Sequence, residues 1–216
     1  MATQTVENYL KAMFMIANER DEINLSELSE VLEVSTPTAN SMAKNLHKQG
    51  LIVYEKYKPL RLTGAGKREA AKVIRKHRLT EMYLVEKMGF GWEEVHEIAE
   101  QVEHIHSPEL FDRMDTILGN PTTDPHGSPI PDREGHFKVR NYVKLSTCKT
   151  GQKVTLCALE HSTNDFLHFL NEKELKLGLV LQIQHVEAFD GSMTIRYRNH
   201  SSETLSKTVT DLLLVE

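Results

Sequence analysis

The chain has 216 residues, 39% hydrophobic and 26% charged, with 11 Gly, 7 Pro and a net charge of −5. This composition suits one large globular domain or two to three small ones, and it excludes a mainly disordered chain and a membrane-spanning apolar run. The net charge argues against a nucleic-acid partner only if it is spread evenly. Residues 38–78 hold 11 Lys/Arg against 2 acids, and residues 81–115 hold 10 acids against 2 bases, so a basic block is followed by an acidic one. Cys148 and Cys157 are too few for a disulfide framework or a thiolate zinc site. Residues 1–4 lack a signal-peptide plan, so the expected location is the cytoplasm.

In chain order, Val6, Leu10, Met13, Phe14 and Ala17 form one apolar stripe at helical period. A second helix begins near Asn24, where Glu27 three places on completes a capping box, and it buries Leu25, Leu28, Val31 and Leu32. Thr36 is placed to cap a third helix with Pro37 at its first position, and Gly50 stops it. This is helix-turn-helix spacing. The third helix buries Ala39, Met42, Ala43 and Leu46, and it presents Thr38, Ser41, Lys44, Asn45 and Lys48 on the other face. Strand-like runs at 51–56 and 60–62 follow as a basic hairpin, completing a winged helix-turn-helix. Ser35, Thr36 and Pro37 with the exposed face of the helix are expected to meet the major groove. Lys56 and Lys58 of the wing would meet phosphates.

Thr63 can cap a long helix running to about residue 87, with Ala70, Val73 and Ile74 inward and Gly89 past its end. Helices are predicted over about 92–106 and from Pro108, the latter with Leu110, Phe111, Met114, Ile117 and Leu118 apolar. Three such helices predict a dimerisation or packing domain. Residues 121–135 are rich in Pro and Gly and predict a semi-rigid linker. Strands at 153–158, 179–187, 192–197 and 212–215, a helix over 165–175 and an Asp190-Gly191 turn then predict a small β-barrel.

On a helix, His96, Glu100, Glu103 and His104 fall within roughly 100° of arc, and His77 and Glu81 share a face of the preceding helix. Two packed helices would bury carboxylates and imidazoles together, which is costly unless a cation joins them. Six N/O donors suffice for one or two divalent ions. The set suits Mn²⁺ or Fe²⁺ and accepts Co²⁺, Ni²⁺ or Zn²⁺. The competing reading is a hydrogen-bonded His–Glu network without metal.

The stretches Arg75-Lys-His77-Arg-Leu-Thr-Glu81, Val95-His96-Glu-Ile-Ala-Glu100-Gln-Val-Glu103-His104 and Asp124-Pro-His-Gly-Ser-Pro-Ile-Pro131 resemble the signatures of the diphtheria toxin repressor family. The resemblance spans nearly the whole chain. It implies a mainly α protein with small β parts: a winged helix-turn-helix over 1–72, a helical metal-binding and dimerisation domain over 73–143 with a Pro-rich linker at about 121–143, and an SH3-like domain, similar to the ferrous-iron-transport A domain, over 144–216. The implied activity is not enzymatic. It is metal-dependent repression of metal-uptake genes by a cytoplasmic homodimer on a palindromic operator, with no organic cofactor and no membrane partner.

By the same resemblance, His77, Glu81 and His96 match an ancillary site, and Glu100, Glu103 and His104 a primary one. Glu100 stands where the iron-responsive branch carries cysteine, which favours Mn²⁺, with Fe²⁺ next. The first helix departs from the manganese pattern: Asn8 and Lys11 occupy its acidic positions, and Asn8 keeps a carbonyl ligand whereas a protonated lysine cannot coordinate. Met13 and Met15 are expected to pack. Glu160, His161 and Asp165 match ancillary ligands of the third domain, and His126 is left as structural. Two other classes stay open on the residues: an enzyme with a His/Glu di-metal site, and a metal-independent winged-helix regulator.

Overall fold

The computed structural model describes residues 3–17, 20–138 and 140–216. Two compact units divide it: Met1–Thr80 with Ala99–Asn120 and Ile130–Phe137, and Glu81–Ile98 with Pro121–Pro129 and Lys138–Glu216.

In the first unit, α1 (Gln4–Ile16) is capped by Thr3, whose side chain accepts from the Val6 amide. Its apolar stripe is buried at Val6, Leu10 and Met13, each such side chain worth about 1.5–3 kcal/mol. Met15 is exposed, against expectation, because it lies off that stripe. α2 (Leu25–Val31) starts after Asn24 without a side-chain cap, so the capping box does not form. α3 (Thr36–Lys48) is capped by Ser35 rather than Thr36: Ser35 is the extended residue before the helix, and its hydroxyl accepts from the Thr38 amide at 3.3 Å. β1 (Ile52–Val53) and β2 (Arg61–Leu62) pair antiparallel as the wing. A bridge from Ile23 to Leu60 ties the wing to the start of α2. The core joins Leu10, Met13, Leu28, Ala39, Leu46 and Ile52.

α4 (Gly64–Tyr83) starts where Thr63 Oγ1 accepts from the Gly66 amide, continues into a π turn at Leu84–Met88, and stops at Gly89 with φ +78°. α4 therefore gives residues to both units. α5 (His96–Val102) is shorter than the predicted 92–106. Residues 92–95 are held otherwise, with Trp92 packed on the C-terminal core and its indole N–H donating to Asn171 Oδ1 at 2.9 Å. The Glu103 amide still bonds to Ala99 O, which keeps Glu103 in helical register. α6 (Pro108–Ile117) buries Phe111, Met114 and Asp115 and leaves Ile117 exposed. Arg75 fixes α4 to it through Asp115 at 2.6 Å and also donates to Pro131 O.

The C-terminal part is a six-stranded antiparallel sheet in the order β3-β8-β4-β5-β6-β7, where β3 is Val143–Lys144, β4 Lys153–Leu159, β5 Val180–Val186, β6 Met193–Tyr197, β7 His200–Leu205 and β8 Leu213–Val215. Register shifts at 156/158, 183/185 and 195/197 mark bulges, which bend such sheets. α7 (Asn164–Glu172) buries Leu167 and Leu170 against the inner face, and α8 is the short Lys207–Thr210. β7 was not anticipated, because its sequence is polar and mostly exposed.

Candidate metal centres and nucleic-acid face

In the first unit, α1 carries Glu7, Asn8 and Lys11, α4 carries His77, α5 carries Glu100, and the turn that follows α5 carries Glu103 and His104. The Lys11 ammonium donates to Glu100 Oε1 at 2.6 Å and to Glu103 Oε2 at 2.7 Å, and stands 3.2 Å from His77 Nδ1. His77 Nδ1 is 2.6 Å from the same Glu103 oxygen. An ionised carboxylate only accepts, so this ring nitrogen carries the proton and the ammonium's bonds go to the two carboxylates.

Glu103 is fully buried. Burial is the strongest single influence on its carboxyl and raises its pKa, but the His77 hydrogen bond, the Lys11 charge and the other contacts of these two residues together hold it below the ordinary carboxylate value. His104 Nδ1 meets Glu7 Oε2 at 2.7 Å, and its Nε2 stands 3.6 Å from Glu103 Oε1. Two buried oxygens, Glu103 Oε1 and Asn8 Oδ1, have no hydrogen-bond partner among the described residues.

In the second unit, Glu81, Asp124 and His126 are all buried and bring one donor atom each to within 4.8 Å of one another. Asp124 Oδ1 accepts the amides of His126 and Ser128, each at 2.9 Å, which folds the loop so that His126 is turned inward. Gly127 has φ +87°, and a Cβ there would stand 2.3 Å from Cys157 O, so only glycine lets this loop lie against β4. His126 Nε2 lies 2.9 Å from Trp92 O, an acceptor only, and so carries the proton. That leaves Nδ1 as the ring nitrogen turned to Glu81 Oε2, 3.8 Å away. Three donor types gathered in a buried place can hold a cation, and an imidazole anchored through one nitrogen to a carbonyl while the other is left for an ion is the usual metal-ligand arrangement. His96, half-exposed on its side chain, stands 3.3 Å from Glu81 Oε1.

The fold thus brings together Glu81, His126, which the sequence leaves as structural, and Asp124, which the sequence does not single out. The signal was the Asp-x-His spacing within the quoted Pro-rich stretch. Of the third-domain candidates, Glu160 follows Leu159, whose amide bonds to His126 O, and its side chain is 3.8 Å from Lys144 Nζ. His161 and Asp165 are exposed, and Asp165 sits in the first turn of α7.

The nucleic-acid candidates Ser35, Thr36, Pro37, Thr38, Ser41, Lys44, Asn45, Lys48, Lys56 and Lys58 are all exposed. Tyr54 donates to Asn40 Oδ1 at 2.9 Å, joining wing to recognition helix, and Lys58 pairs with Glu55.

Three sequence families match in order: the iron dependent repressor N-terminal DNA binding domain over residues 1–60, the iron dependent repressor metal binding and dimerisation domain over 63–132, and the FeoA domain over 143–216. The iron-dependent repressor IdeR of Mycobacterium leprae is 38% identical over 127 residues, 59% of this chain and 55% of that protein. Its Mycobacterium bovis counterpart is 29% identical over 222 aligned positions, 98% of this chain and 96% of the relative. A solved structure of a manganese-dependent transcriptional repressor in complex with manganese superposes with a TM-score of 0.85 at 30% identity, covering 97% of this chain and 98% of that one.

Proposed function

We propose, from the premise that this chain belongs to the diphtheria toxin repressor family of metal-dependent transcriptional regulators, that it represses metal-uptake genes with Mn²⁺ as co-repressor and Fe²⁺ as the next candidate. It is a metal-dependent DNA-binding transcriptional repressor of metal homeostasis, with the winged-helix, helical and SH3-like parts of its family. The finer points are our reading: a cytoplasmic homodimer on a palindromic operator, modules at 1–72, 73–143 and 144–216, and no catalytic activity. The relatives' being repressors supports the last point, and the absence of a helix long and apolar enough to cross a membrane among the described residues accords with the first.

The observation that carries the metal assignment is the buried set Glu81, Asp124 and His126, with His126 Nδ1 turned to a Glu81 oxygen. These three would hold the ion, with His96, 3.3 Å from Glu81, as an adjoining donor. When bound, the ion would supply positive charge between the two buried carboxylates. All-N/O ligation suits Mn²⁺ or Fe²⁺. Trp92 O orients the His126 ring, the Asp124 turn aims it, and Gly127 lets the loop seat against β4. α3 would enter the major groove with Ser41, Lys44, Asn45 and Lys48. In a two-fold dimer, half-sites lie about 34 Å apart or a multiple of that.

Metal and DNA then favour the same state, so each raises the other's affinity equally, typically by about 5–150-fold. The test uses duplexes selected from a random pool by the purified full-length chain. Binding is expected to weaken by a factor in that range when Mn²⁺ is replaced by a chelator. Lys44→Ala is expected to weaken binding across sequences and to lower the salt slope by about 0.9. Equal affinity with and without Mn²⁺ would sink co-repression.

A further inference from the structure

We infer that Lys11 is a tethered cation filling the primary metal position of this chain, so that α1 is held to Glu100 and Glu103 by an ammonium group and not by an ion. The inference rests on the reading of the chain as a metal-dependent repressor and assigns its metal response to Glu81, Asp124 and His126.

The geometry is that of a bound cation. The Lys11 nitrogen lies 2.6 and 2.7 Å from one oxygen of each of two carboxylates, at or just below the usual length of a charge-assisted hydrogen bond. Glu103 is wholly buried and Lys11 only 16% exposed on its side chain, so water screens this charge pair weakly. The lysine stem leaves α1 between Leu10 and Met13, both buried, so its root is fixed in the core. A divalent transition metal needs carboxylate oxygens at about 2.0–2.2 Å. It would have to sit among the same oxygens, within a few ångströms of the ammonium charge.

The two orphaned oxygens support the same reading. An ammonium group has three N–H donors and no more. The acceptors here include both Glu103 oxygens, Glu100 Oε1 and Asn8 Oδ1, with Asn8 on α1 less than one turn before Lys11. Lys11 serves the two carboxylates through one oxygen each; among the described residues Glu103 Oε1 and Asn8 Oδ1 accept no hydrogen bond, and the nearest ring nitrogen to the former, His104 Nε2, stands 3.6 Å off. This shell of acceptors is larger than the cation that occupies it, as expected where a side chain stands in for an ion of higher coordination number.

The experiment is equilibrium dialysis of the full-length protein against Mn²⁺, with bound metal measured by elemental analysis and folding checked by circular dichroism. Lys11→Met and Lys11→Gln are each expected to bind about one more Mn²⁺ per subunit than the wild type. Glu100→Gln in the wild type is expected to leave the stoichiometry unchanged, because Glu100 is engaged by lysine; in the Lys11→Gln background it should remove or strongly weaken the gained ion. Loss of an ion from wild type carrying Glu100→Gln overturns the inference, since the metal would then be displacing the lysine. Equal stoichiometry in folded wild type and folded Lys11→Gln overturns it too. Should either lysine variant fail to fold, Glu100→Gln remains decisive, because Glu100 is 42% exposed on its side chain and tolerates an isosteric change. No DNA enters this assay, so failure of the repressor reading, which would appear as metal-independent operator binding, is distinguishable from failure of the lysine inference.

Discussion

The two carboxylate–imidazole clusters solve one electrostatic problem in different ways. Around Glu103 the compensating positive charge is covalently part of the chain, as Lys11 with a protonated face of His77. Around Glu81 the chain supplies an imidazole and a second carboxylate, with His126 Nε2 anchored to Trp92 O and Nδ1 turned to Glu81. The first arrangement carries its positive charge at any metal concentration. The second gains stability when a cation joins its donors. Similar residue types thus give a permanent clasp in one unit and a responsive site in the other, and a single lysine on α1 decides which is which.

Removing that lysine should produce the largest change in stability. Lys11→Met leaves Glu103 buried beside Glu100 without its ammonium partner, and breaking a buried pair on one side costs about 3–5 kcal/mol. Urea unfolding in chelator should show a loss near the low end, because Glu100 is partly exposed and the His77 bond survives. Added Mn²⁺ should restore much of the loss in the variant and little in the wild type. Equal losses with and without Mn²⁺ would show that the two clusters do not differ as argued.

The opposite cluster is tested by His126→Ala. Loss of an inner ligand should lower Mn²⁺ affinity by at least about 100-fold, or roughly 2.7 kcal/mol, read by calorimetry on the full chain. The Glu103–Lys11 pair lies in the other unit and makes no use of His126, so the effect of Lys11→Met in chelator should be the same in this background, as expected for separate sites.

Much of this architecture was legible from one-dimensional patterns. The period of Val6, Leu10 and Met13, the Pro37 start and Gly50 stop of α3, and the alternation of basic and acidic blocks led to the winged helix and the donor-rich helices. Features decided by tertiary contact were not legible. Lys11 reads as a residue that cannot ligate, and its closeness to Glu100 and Glu103 is a contact across about ninety residues. His126 sits in a Pro-rich loop with no periodicity, and its partner Glu81 lies 45 residues earlier. The predicted helix over 92–106 lost its first turn because Trp92 is anchored to Asn171 and the C-terminal core. The β7 strand was invisible because its side chains are polar and only its backbone pairing with β6 makes it a strand.

Acidification should act on the first unit through its clasp. The carboxyl of Glu103 titrates below its ordinary value of 4.5 in the folded protein, so its contribution is present above that value and is lost as pH falls through the lower folded one. Unfolding monitored by hydrogen exchange in α1 should therefore accelerate on acidification below about pH 4.5, and Glu103→Gln should flatten that dependence.

The second unit should show the reverse asymmetry at the alkaline end, with the smallest effect of the series. Tyr197 on β6 is 2% exposed and donates to Lys173 O at 2.7 Å. Burial, helped by the nearby Glu203 and Glu174, pushes its phenol from 10.0 up to about 12. The folded state keeps the proton where the unfolded chain releases it, so the contribution of Tyr197 is complete below pH 10 and declines as pH rises toward 12. Tyr197→Phe removes one buried hydrogen bond and leaves the Lys173 carbonyl to find another partner, a cost of about 1 kcal/mol at neutral pH. It should also remove this residue's share of the alkaline decline, so the stability curves of variant and wild type, followed by urea unfolding at a series of pH values, should converge between pH 10 and 12. Parallel curves would show that the phenol is not held neutral by its burial, and the contrast between an acid-sensitive and an alkali-sensitive unit would then rest on Glu103 alone.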